Sequence, residues 1–172
     1  MRNPTKILAR SILVAAVAVF VGCNSVVDDP DVNVVLEVAT LTIPSVTGAL
    51  DSAGGGCVFT ITNASATFNN KPKNHYAIES PFNDIRLLDV AVSYVWDDGA
   101  GVTGPVTFAI AGTVPANGSQ TSTFSVINGL DVISPSREGH TASLTMLFRG
   151  MTISGELVTQ GSGGTLTVNT CQ

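Results

Sequence analysis

Ile85-Arg86-Leu87-Leu88-Asp89-Val90-Ala91-Val92-Ser93-Tyr94-Val95-Trp96 is the stretch on which the fold turns. Leu88, Val90, Val92, Tyr94 and Trp96 recur at every second position, with Asp89, Ala91 and Ser93 between them. Side chains of an extended chain alternate between two faces, whereas a helix repeats about every 3.6 residues, so this spacing predicts a strand with one apolar face. Its length makes it a central strand. Asp97-Asp98-Gly99, followed by Gly101 and Gly104, then predicts a turn, because glycine accepts positive φ and aspartate bonds its own backbone.

The same period extends in both directions. Val34, Leu36 and Val38 mark a first strand that Pro44 ends or confines to an edge, since proline cannot donate to a ladder. Cys57, Phe59 and Ile61 mark another, with Cys57 on its inward face. Val106, Phe108 and Ile110 precede the turn Pro115-Ala116-Asn117-Gly118 and a strand over residues 121–127, a pairing that predicts a hairpin. Ala142, Leu144, Met146 and Phe148 alternate with polar residues, and Met151, Ile153 and Leu157 are expected to continue that apolar face past bends or bulges at Gly150 and Gly155. A last strand covers residues 165–170. No segment repeats at helical spacing, so the expectation is an all-β antiparallel sandwich of about seven or eight strands in two sheets, with a barrel as the alternative.

In strand number, spacing and the polar 115–118 turn, residues 85–127 resemble immunoglobulin-like or fibronectin type III-like sandwiches. The resemblance is one of architecture: the Cys, Trp, Cys pattern of antibody domains is not matched, because Cys171 stands at the far end of the chain.

The head of the chain has a different character. Arg2, Lys6 and Arg10 precede the apolar run 12–21, and the first acid is Asp28. This order reads as a helical export signal, too short to cross roughly 30 Å of hydrocarbon. Phe20-Val21-Gly22-Cys23 resembles the lipobox of bacterial lipoproteins, with Phe20 where leucine is usual. The resemblance implies a signal peptide over residues 1–22, a lipid-bearing Cys23 followed by a short polar tether over 23–31, and a folded domain over 32–172. It further implies a bacterial envelope location, with the domain in the periplasm or at the cell surface. Asn24, in place of an aspartate, favours the outer membrane of a two-membrane cell.

Removing residues 1–22 takes away three basic residues and no acid, shifting the net charge from −5 to −8. So acidic a domain lacks the clustered Lys and Arg that nucleic acid requires. Of the three cysteines, Cys57 and Cys171 remain once Cys23 carries lipid, and an oxidising compartment predicts a disulfide between them.

Residues 67–84 form the longest stretch without a strand pattern, and they hold Lys71, Lys73, His75, Tyr76 and Glu79 between Pro72 and Pro81. Long loops are uncommon unless functional, which makes this the expected place of a partner or ligand contact; a solvated crossover between the sheets is the plainer reading. Trp96 with Asp97 and Asp98 has the composition of a sugar-stacking site or an oxygen cage for calcium, set against a half-buried tryptophan ending a strand at a turn. His75 and His140 lie in no metal-binding spacing, and neither a G-x-S-x-G elbow nor a phosphate-binding glycine loop occurs. The sequence therefore points to a non-enzyme without metal or cofactor. The expected role is a structural or interaction module tethered to the envelope, with a carbohydrate or small-ligand binder as the alternative.

Overall fold

The computed structural model describes residues 33–51, 56–73, 80–99, 102–133 and 136–171. The signal peptide, Cys23, the tether, His75, Tyr76 and Glu79 lie outside them. The fold is an all-β antiparallel sandwich, as the alternation predicts, with ten strands among the described residues in place of seven or eight. They are β1 Val34–Thr42, β2 Thr47–Leu50, β3 Cys57–Thr60, β4 Ala64–Pro72, β5 Ile85–Trp96, β6 Val102–Ala109, β7 Thr113–Val114, β8 Ser119–Phe124, β9 Thr141–Thr152 and β10 Leu157–Thr167. A 3-10 turn, Pro81–Asn83, and one short helix, α1 Gly129–Ile133, complete the elements. Among the described residues no helix is long and apolar enough to cross a membrane.

One sheet has the order β1-β4-β8, and the other β10-β9-β5-β6, with β7 pairing β5 beyond the end of β6. β2 and β3 form a separate hairpin. β5 is central, as expected, hydrogen-bonded to β9 on one side and to β6 and β7 on the other. The sheets share a core in which the Phe148 ring meets Phe68 at 5.1 Å and Phe124 at 5.3 Å between centroids, both edge to face. Such offset aromatic contacts are favoured by the ring quadrupole over flat stacking.

Four local expectations are corrected. Leu88 does not share the buried face with Val90, because the β5 register against β9 shifts between Leu87 and Asp89. That bulge places Ile85 and Leu87 inward on one side of it and Val90, Val92, Tyr94 and Trp96 inward on the other. Residues 67–84 are not one loop, since Thr67 to Pro72 lie in β4, which pairs with both β1 and β8. Ala64, Ala66, Phe68 and Asn70 form its buried face.

β6 and β8 are not a hairpin either. β6 and β7 run along β5, the turn at 115–118 passes to the opposite sheet, and β8 pairs β4 there. Finally, Gly150 is not a bulge: β9 keeps one unbroken register with β10, so Gly150 and Thr152 face inward while Met151, Ile153 and Leu157 are exposed. A Cβ at Gly150 would stand 2.6 Å from Ile85, so the close approach of β9 to β5 needs glycine there. Gly155, at φ +96°, closes the β9–β10 turn.

Two neighbours on β9 test this packing. Phe148→Ala is expected to cost about 3–5 kcal/mol in urea unfolding, the usual loss for a buried aromatic. Leu147→Ala, on the outer face, is expected to cost about 1 kcal/mol or less. Similar losses for the two would contradict the assigned faces.

Candidate functional site

Strands β1, β5 and β9 give the sandwich two ends. One end, where residue 33 enters, gathers the finish of β4, the 3-10 turn, the start of β5 and the β9–β10 turn. The opposite end gathers the β2–β3 hairpin, the β5–β6 turn, α1 and Cys171. It contains the aromatic and acidic residues that the sequence singles out.

Trp96 is buried there, with its indole edge to face against Tyr94 at 6.0 Å. The Arg137 guanidinium lies over the Trp96 ring, 4.9 Å from its centroid, and is itself buried. A cation over an indole face is held by the ring's negative quadrupole, and arginine does this well because its planar head is weakly hydrated. Arg137 Nη1 donates to Asp98 Oδ2 at 2.5 Å. The Tyr94 hydroxyl donates to the Asp131 carboxylate on α1.

Asp97 does parallel work on the surface. Its Oδ1 lies 2.8 Å from His140 Nδ1, and its Oδ2 accepts the Thr141 backbone N–H at 3.0 Å. These bonds, the one from His140 foremost, hold the Asp97 carboxyl below its ordinary value. Gly99, at φ +72°, lets the chain turn back after the two aspartates, and its N–H donates to the Trp96 carbonyl.

This arrangement corrects the sugar-stacking reading at Trp96, whose ring face is covered by Arg137. It likewise turns Asp97 and Asp98 from a possible calcium cage into two struts that bind the β5–β6 turn to the 137–141 segment. Neither aspartate's partner could be read from sequence, because Arg137 and His140 lie about 40 residues away and meet the turn only through the β5–β9 register.

The disulfide expected between Cys57 and Cys171 is present, joining residues 114 positions apart with their Cα atoms 6.0 Å from each other. Gly48 packs against it, its Cβ position 3.0 Å from both sulfurs. The Cys171 N–H donates to Glu138 Oε1 at 2.7 Å. Two sulfurs and a carboxylate thus lie within 4.8 Å, but bonded sulfurs are not thiolates, and the trio is a staple in this state.

At the entry end, Lys71 Nζ lies 2.6 Å from Glu37 Oε2, and Asn69 donates to the same oxygen at 3.1 Å. The Lys71 contact is the main reason the Glu37 carboxyl is held below its usual value. The Lys73 backbone N–H donates to the Asn33 carbonyl, tying the chain's entry to the end of β4. Lys71 and Lys73 are therefore some distance from Trp96, Asp97 and Asp98, so the candidate residues form two sites and not one. An open cleft of about 320 Å³ lies between Thr47, Gly48, Asn169 and Thr170, a second of about 300 Å³ between Arg86 and Gly112. Among the described residues, Arg86 is the titratable side chain that lines either cleft.

No family model matches the chain, and no curated protein or solved structure matches it either.

The Asp97 strut sets a pH dependence. A carboxyl with a lowered folded pKa contributes stability that is fully present above the unfolded value of about 4 and is lost as pH falls through the folded one. Asp97→Asn is therefore expected to flatten the acid limb of a stability profile below about pH 4. An unchanged acid limb would show that the contact with His140 contributes nothing.

Proposed function

We propose that this chain is a lipid-anchored envelope protein whose sandwich acts as a non-enzymatic structural or interaction module. The observation that carries this reading is the use of the three cysteines. Two form the Cys57–Cys171 disulfide, a bond that belongs in an oxidising compartment. The third, Cys23, follows the charged and apolar head at the position where a lipoprotein carries its acyl chains. One disulfide-closed domain then stands on a tether of a few residues, and acyl chains hold it to one membrane surface.

The rigid far end suits presentation to a partner. Its turns are fixed by Arg137, Asp97, Asp131 and the disulfide, so a partner would meet a surface ordered in advance, which lowers the entropy lost on binding. The alternative of a carbohydrate or small-ligand binder no longer includes Trp96, and rests on the polar cleft beside Thr47 and Asn169 together with the 67–84 segment.

Intact mass of the membrane-extracted protein, before and after reduction and thiol alkylation, tests the reading. Expected are loss of residues 1–22, added lipid mass that Cys23→Ala abolishes, and two alkylatable thiols that appear only on reduction. An unlipidated Cys23 would refute the anchor. Reduction is also expected to lower stability by about 4–5 kcal/mol, the chain-entropy value for so long a loop.

A further inference from the structure

The entry end of the sandwich carries exposed apolar side chains: Phe82 at 67%, Ile153 at 57%, Leu157 at 50% and Met151 at 38% exposure. They come from neighbouring backbone. Met151 and Leu157 are direct cross-strand partners on the outer face, and the Ile153 and Ser154 amides donate to the carbonyls of Asp84 and Phe82. The Asn70 side-chain amide joins the same region, donating to the carbonyls of Asn83 and Val114.

What lies against this end follows from the chain that leads into it. Cys23 stands ten residues before Asn33, and ten residues span at most about 35 Å. β5 alone, with twelve residues, is roughly 40 Å long. A lipid on Cys23 therefore holds the entry end near the bilayer, while the opposite end stays beyond the reach of the tether.

Leu50, Val58, Leu130 and Ile133 are exposed as well, but they belong to the β2–β3 hairpin and to α1 at the opposite end, away from the point where the tether enters.

We propose that the entry end is a bilayer-contacting surface, in which Phe82, Met151, Ile153 and Leu157 enter the membrane interface beside the acyl chains of Cys23. The inference rests on the lipoprotein reading and adds an orientation to it: the sandwich stands on the membrane with its disulfide-closed end outward. Apolar side chains of this kind sit about 5–10 Å into the boundary between headgroups and acyl chains.

The full lipidated chain, reconstituted into phosphatidylcholine vesicles with brominated acyl chains, tests it by tryptophan quenching. Trp96 is the only native tryptophan and is buried at the far end, so it supplies an unquenched background. Phe82→Trp or Ile153→Trp should lose roughly half of its added emission, as an interfacial side chain in contact with bromine would, while Leu130→Trp should lose none. Because positions 82 and 153 are exposed, neither substitution threatens the fold, and either alone suffices. Intact mass of the same sample reports whether Cys23 carries lipid. Lipidated protein with no quenching at 82 or 153 overturns the bilayer surface and leaves the anchor standing. Emission at position 82 that shifts with protein concentration in the absence of vesicles, as a second copy would cause, overturns it as well. An unlipidated Cys23 removes both.

Discussion

Phe148 meets Phe68 and Phe124 edge on, and through this contact the two sheets become one core. The requirement that Phe148 point inward fixes the face of every other residue on β9, because no bulge interrupts its pairing with β10. Alternate residues from Ala142 to Thr152 then face Phe68 and its neighbours, and those between them face solvent. β5 has to match this face from the other side of the ladder, and it does so only by the irregularity at Leu88. The exposed Met151 and Leu157 are thus consequences of the same constraint that buries Phe148.

The strands with large apolar residues at strict alternation were legible in the sequence. β1, β5 and most of β9 read directly from Val34, Leu36, Val90, Val92, Tyr94, Leu144 and Met146. β4 did not, because its inward face is made of Ala64, Ala66 and Asn70 around a single large residue, Phe68; small and polar residues carry little periodic signal even when fully buried. The Leu88 bulge was invisible since Leu87 and Leu88 are chemically alike, and only the opposing strand decides which turns inward. The β6–β8 pairing failed for a related reason. A Pro-Ala-Asn-Gly turn specifies a change of direction, and whether the chain then returns to its own sheet or crosses to the other depends on where β4 lies.

For the candidate residues, the sequence located chemistry without its partners. The cysteine pair was legible because only two cysteines remained after Cys23. Trp96, Asp97 and Asp98 were recognised as a cluster, but their role depends on Arg137 and His140. Those two belong to no motif in the sequence, and in space they cover the indole and brace the turn. An exposed tryptophan beside two carboxylates invites a ligand. Covered by a guanidinium, it becomes part of the closure of one end of the sandwich.

The two ends differ in what they join: one receives the chain that leads from Cys23, and the other is closed by the Cys57–Cys171 disulfide. The central claim is that Cys23 carries the lipid that gives this polarity its meaning. Metabolic labelling of producing cells with a palmitate analogue, followed by membrane fractionation, tests it most directly. The account predicts labelled protein in the membrane fraction, and neither label nor membrane retention for Cys23→Ser. Unlabelled wild-type protein released in soluble form would contradict it.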